Sequence, residues 1–162
     1  MNITNHELLS ISIKIERDGK AFYSKLAEIS LDPQVSNFFH LMSKEEAMHE
    51  NQLTKLIESK QSADLGWEND AALREFIDKE FQTDIFPLPE EVIDQLSTKG
   101  GIHKALDFAM DAERIVGEFF HLLHDSCNDI EIKTLLTVLE KSESEHLERV
   151  KSFRSLIFPD SN

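Results

Sequence analysis

One set of metal-ligating residue types occurs twice in this chain at a single fixed offset, and few folds can satisfy it. Glu16, Glu46 and His49 correspond to Glu113, Glu143 and His146, each 97 positions later. Glu46-Ala47-Met48-His49 and Glu143-Ser144-Glu145-His146 are both Glu-x-x-His pairs, and each follows a lone upstream glutamate by 30 residues. Helical residues three apart share a face, so each pair aims two ligands the same way. Four carboxylates and two imidazoles carried by four helices are what a bundle needs to hold two metal ions in its core.

The rest of the sequence supports helices. Glycine and proline are scarce, at five and four copies, and apolar residues recur every three or four positions. Helix A is expected over 5–30. Asp32 caps helix B, with Pro33 in its first turn where a missing N–H costs little, and the helix runs to about 60. Gly100-Gly101 is expected to break the chain before helix C, over 102–127, and Asp129 to cap helix D, which ends before Pro159.

The repeat extends beyond the ligands. Leu9 pairs with Leu106, Arg17 with Arg114, Phe22 with Phe119, Leu26 with Leu123 and the cap Asp32 with Asp129. The inward stripe of helix B (Phe39, Met42, Glu46, His49, Leu53, Leu56) matches Leu136, Leu139, Glu143, His146, Val150 and Phe153 on helix D, the seam spacing of a bundle interrupted centrally by Glu and His. The fold class is therefore all-α: a four-helix bundle in one domain over 1–162, made of two duplicated helical hairpins. Residues 61–101 join them and hold Trp67, a short helix near 71–82, the Pro87-Leu88-Pro89 turn and a helical turn at Glu90–Leu96. A helix of about 26 residues spans about 39 Å, and this segment is long enough to cross it. It reads as a long crossover, with a small separate lobe as the alternative.

Hairpin geometry places the ligands at one height. Glu16 lies 15 residues before position 31 and Glu46 lies 15 after it; Glu113 and Glu143 are likewise equidistant from position 128. The expected roles are bridging for Glu46 and Glu143, terminal carboxylate ligation for Glu16 and Glu113, and one imidazole per metal from His49 and His146. Four carboxylates balance two divalent cations, which matters because unpaired buried charge is costly. Mixed carboxylate and imidazole ligands suit two iron ions, or manganese, whereas zinc favours fewer, tetrahedral ligands. The competing reading is a duplicated bundle whose polar layer holds no metal.

Other candidates are weaker. Tyr23, seven residues after Glu16, brings a hydroxyl within reach of a ligand carboxylate or else simply packs in the core; its repeat counterpart is Phe120. Glu118-Phe119-Phe120-His121 has the Glu-x-x-His spacing but no partner at the offset, and Glu118 points roughly 140° away from Glu113. His124 is expected at the bundle end, and His6, His40, His103 and His121 on the surface. Cys127 is the only cysteine, which excludes a disulfide framework and four-cysteine metal sites; an ordinary thiol is expected.

A formal charge of −14, from 17 basic and 31 acidic residues, argues against binding nucleic acid or an anionic membrane. Met1–Glu7 is polar and lacks lysine and arginine, unlike a signal peptide, and no apolar run is long enough to span a bilayer. A soluble cytoplasmic protein is expected.

Ile15-Glu16-Arg17-Asp18-Gly19-Lys20-Ala21-Phe22-Tyr23, Glu45-Glu46-Ala47-Met48-His49, Ala112-Glu113-Arg114 and Ser142-Glu143-Ser144-Glu145-His146 resemble the four motifs of the rubrerythrin branch of the ferritin-like di-iron carboxylate superfamily. The resemblance covers both hairpins and leaves the crossover unsupported. It implies a ferritin-like bundle, a non-haem di-iron centre and reduction of hydrogen peroxide, often fed by a rubredoxin domain. Such a domain needs paired cysteines, and with Cys127 alone none is expected in this sequence. Val116 also stands where rubrerythrins usually place an extra carboxylate, one turn after the helix C ligand, so a simpler six-residue site, without the redox-linked ligand switching of that family, is expected.

The expected activity is a di-iron oxidoreductase acting on hydrogen peroxide or dioxygen, with electrons from a separate donor such as a rubredoxin-like protein. A ferroxidase or iron-storage protein and a non-catalytic metal-binding scaffold are the alternatives. A homodimer is expected.

Overall fold

The computed structural model describes residues 4–60, 64–82, 84–90 and 99–159. Five helices account for most of them: α1 (Asn5–Ile29), α2 (Pro33–Ser59), α3 (Ala71–Glu80), α4 (Lys99–Ser126) and α5 (Ile130–Ile157). α1 pairs with α2 and α4 with α5, and the two hairpins pack into a four-helix bundle.

Side chains at the helix starts explain where the elements begin. Thr4 and Glu7 form a reciprocal capping box on α1, satisfying donors that a first turn leaves unpaired. Asp32 accepts from the backbone N–H groups of Gln34 and Val35, with Pro33 next to it. Its repeat partner Asp129 accepts from those of Glu131 and Ile132. Both expected caps are in place. α4 departs from expectation, because it begins at Lys99 and takes Gly100 and Gly101 into its first turn. Glycine costs a helix only about 1 kcal/mol, and Ala105, Leu106 and Ala109 directly behind it are fully buried. Packing of that first apolar stretch outweighs the local penalty.

The crossover lies against the bundle. Trp67 is fully buried and its indole N–H donates to the carbonyl of Leu123 at 2.9 Å, while the N–H of Asn128 donates to the carbonyl of Leu65. Gly66 between them has φ +85°, and a Cβ there would lie 2.5 Å from Nδ2 of Asn128 and 2.6 Å from the carbonyl oxygen of Ser126; only glycine fits. α3, capped by Asp70, sets Phe76 parallel to Phe119 with ring centroids 6.3 Å apart. Phe86 wedges between Phe22 and Tyr23, at 5.7 and 5.8 Å. The expected turn at Glu90–Leu96 falls, beyond Glu90, outside the described residues.

Apolar side chains above and below one central layer hold the hairpins together. Phe38 and Phe39 of α2 meet Phe153 of α5, the first pair stacked at 4.0 Å, and Phe22, Leu26, Met42, Phe119, Phe120 and Leu139 fill the interior. The layer itself is polar. Among the described residues, no helix is long and apolar enough to cross a membrane.

Candidate metal centre

Glu16 comes from α1, Glu46 and His49 from α2, Glu113 from α4, and Glu143 and His146 from α5, and no member of the six is more than 5 % exposed. Nδ1 of His49 lies 3.1 Å from Glu16 Oε2, 3.0 Å from Glu143 Oε1 and 3.7 Å from Glu46 Oε2. Nδ1 of His146 lies 3.2 Å from Glu46 Oε1, 3.2 Å from Glu143 Oε2 and 3.5 Å from Glu113 Oε2. The two imidazoles face each other with ring centroids 5.5 Å apart. These distances resolve into two groups able to hold a metal ion: Glu16, Glu46, His49 and Glu143, and Glu46, Glu113, Glu143 and His146. Glu46 and Glu143 belong to both.

The sequence matches the rubrerythrin family over residues 7–154. The chain belongs to the rubrerythrin family. Two solved structures share the fold: a hypothetical protein from Pyrococcus furiosus, 24% identical with a TM-score of 0.68, covering 96% of this chain and 91% of its own, and a Thermotoga maritima protein described as a ferritin-like diiron-carboxylate protein, 18% identical with a TM-score of 0.72, covering 100% and 97%. No curated protein matches the chain.

Several buried atoms of this rubrerythrin site make no contact with hydrogen-bond geometry, although imidazole and carboxylate atoms crowd one another at 3.0–3.7 Å: Oε1 of Glu16, Glu46 and Glu143, Oε2 of Glu113 and Nδ1 of His146. Native interiors rarely leave such groups unpaired. Here they come from five of the six clustered residues, a shortage of positive partners that cations bound by these ligands would remove. The donor set therefore fits a pair of metal ions.

Two supporting contacts reach the cluster from outside. The Tyr23 hydroxyl donates to Oε1 of Glu113. Nε2 of His146 donates to Oε2 of Glu45 at 2.6 Å, and Arg149 holds both oxygens of Glu45, at 3.0 and 2.6 Å. Periodicity points to Tyr23, but Glu45 and Arg149 are missed by sequence reasoning; Glu45 and His146 meet across the hairpin interface, 101 residues apart. The only local hint is that Arg149 sits one turn after His146.

Other sequence candidates stay away from the cluster. Glu118 and His121 are exposed, engaging Arg114 and Glu140. His124 sits at the end of α4 beside Asp125, and His6 and His40 are on the surface. His103 is half-buried rather than superficial, between Arg154 and the ring of Phe158, because the end of α5 folds over it. Cys127 is buried and free. Val116 is fully buried, so the position at which rubrerythrins usually add a carboxylate is apolar here.

Without metal, protons balance the cluster. Burial, then the charges of Glu143 and Glu46, hold Glu16 well above the usual carboxylate range, and burial and Glu46 do the same to Glu113. Burial opposes charge on His49, but the carboxylates of Glu143, Glu16 and Glu46 prevail and push it up to about 12; Glu113, Glu143 and Glu46 likewise overcome burial to raise His146. Burial also opposes charge on Glu46, yet the imidazoles of His146 and His49 hold it at about 2. For a group whose pKa is raised by folding, the stabilisation is complete below the unfolded value and is lost as pH rises through the folded one. For His49 that window runs from 6.5 to about 12. Bound cations would replace these protons. Melting curves of metal-free protein are therefore expected to fall in Tm from pH about 7 to about 10, with the increment from added manganese(II) or iron(II) growing over the same range. An increment independent of pH would contradict this proton balance.

Proposed function

We propose that this chain is a non-haem di-iron oxidoreductase that reduces hydrogen peroxide, or dioxygen, with electrons from a separate donor such as a rubredoxin-like protein. The observation that supports it is the pair of overlapping four-residue groups sharing Glu46 and Glu143. In this reading Glu46 and Glu143 would be shared by two ions, Glu16 with His49 would complete one position, and Glu113 with His146 would complete the other. Two irons held there would supply the two electrons that, with two protons, convert hydrogen peroxide into two waters.

The chain's own residues set the conditions for that chemistry. Four carboxylates match the charge of two divalent ions, so no net charge is left buried. Burial and the neighbouring Glu113 and Glu46 carboxylates hold Tyr23 well above its usual pKa; it keeps its proton and donates a hydrogen bond to Oε1 of Glu113. The fully buried rings of Phe22, Phe39 and Phe119 belong to the surrounding core, which keeps bulk water out. Glu113 also lines a cleft of 280 Å³ between α4 and α5, beside Gly117 and Ser144, and this is the route we assign to a small oxidant. The same reading takes the protein as a cytoplasmic homodimer.

Anaerobic loading with iron(II), followed by a peroxide titration watched in the near ultraviolet, tests this function. The expected result is oxidation complete at stoichiometric peroxide and much faster than in air. Iron-loaded protein that persists unchanged in peroxide would defeat it.

A further inference from the structure

The duplication equips the two metal positions differently. At the Glu113–His146 position, each terminal ligand is anchored from behind. Tyr23 donates to Oε1 of Glu113, and Glu45, itself gripped through both oxygens by Arg149, accepts from Nε2 of His146. At the Glu16–His49 position, the residues at the repeat offset are Phe120 for Tyr23, Ser142 for Glu45 and Gln52 for Arg149. Phe120 has no hydroxyl to donate to Glu16. Among the described residues, no side chain hydrogen-bonds Nε2 of His49.

A carboxylate on the outer nitrogen of an imidazole ligand fixes its tautomer and ring orientation and raises its basicity, and losing such a partner typically costs about 10- to 100-fold in metal affinity. The Glu45 contact is charge-assisted, and its acceptor is itself immobilised by a bidentate guanidinium. Nδ1 of His146 is thereby turned toward Glu46, Glu113 and Glu143 before any metal arrives. His49 is held only through Nδ1, by the carboxylates of Glu16 and Glu143 that would themselves be ligands, and has no such outer support among the described residues.

We infer that the Glu113–His146 position takes the first metal ion and holds it tightly, that the Glu16–His49 position fills second and exchanges readily, and that Glu45 and Arg149 are the positioning residues that create the difference. This rests on the six-ligand reading given above.

Titration of metal-free protein with cobalt(II), followed by calorimetry and by its visible absorption, tests it. Wild type is expected to fill in two steps. Two ions sharing bridging carboxylates would repel each other even at equivalent positions, so two steps alone do not decide; the variants do. His49→Ala should keep the tight step and lose the weak one, and His146→Ala should lose the tight step. Glu45→Gln should weaken the tight step by about 10- to 100-fold while leaving the weak step in place, and Arg149→Leu should shift it in the same direction. A merely structural lesion would weaken both steps together, and circular dichroism of each metal-free variant verifies its helix content beforehand. With equivalent positions, the first ion would simply enter at Glu16–His49 in Glu45→Gln, leaving the first step unchanged; that result, or loss of the tight step in His49→Ala, overturns the inference. Wild-type protein that takes up no cobalt would instead overturn the metal-centre reading beneath it.

Discussion

Glu46→Ala is expected to abolish metal binding at both positions at once, whereas Glu16→Ala leaves one ion bound. The difference follows from geometry: Glu46 belongs to both four-residue groups and Glu16 to one. Losing a direct bridging ligand must cost each position more than the roughly 10- to 100-fold typical of an indirect partner. The substitution also affects the metal-free protein. Glu46 lies 3.2 Å from His146 and 3.7 Å from His49, and it is the carboxylate those imidazoles hold at about 2. Removing one partner of a buried charge pair typically costs about 3–5 kcal/mol, reduced here to the extent that the imidazoles shed their protons. Metal analysis after anaerobic reconstitution, beside the wild type, gives the answer. Glu46→Ala protein carrying a full complement of iron would refute the bridging role.

The second large effect is far from the centre. Trp67→Ala is expected to destabilise the metal-free protein by about 3–5 kcal/mol, the usual cost of truncating a buried aromatic ring, with about 1 kcal/mol more for the lost hydrogen bond to Leu123. For a chain of this size the combined loss is a fall in Tm of roughly 8–24 °C. Trp67→Phe should recover most of the packing but leave the Leu123 carbonyl without its indole donor. The metal content of folded Trp67→Ala protein is expected to stay normal, because the indole bonds Leu123, ten residues or about 15 Å of helix beyond Glu113. A loss below about 1 kcal/mol would show that the crossover does not help to hold the bundle together.

These two residues differ in how legible they are. Glu46 is apparent from the sequence because its signal is written three times over: in the Glu-x-x-His spacing, in the distance to Glu16 and in the repeat at 97 residues. Trp67 is visible only as a large apolar residue in a linking segment. Nothing nearby announces that its indole ends on the carbonyl of Leu123, 56 residues away, or that Gly66 must adopt positive φ to pass Asn128. The caps Asp32 and Asp129 were readable because an N-cap acts on N–H groups two and three residues ahead. Gly100 and Gly101 predict a break but lie within the first turn of α4, because a local preference of about 1 kcal/mol yields to burial of the residues that follow.

The amino-acid sequence by itself determined the helices, their pairing into two equivalent hairpins and the six residues of the central layer. Each depends on spacing along the chain: helical periodicity, the position of a turn and one repeat offset. Only the tertiary structure decided how the two halves differ. Glu45 reaches His146 across 101 residues and Tyr23 reaches Glu113 across 90, each from one hairpin into the other. Such contacts depend on how two finished hairpins dock, and no periodicity within either of them encodes it.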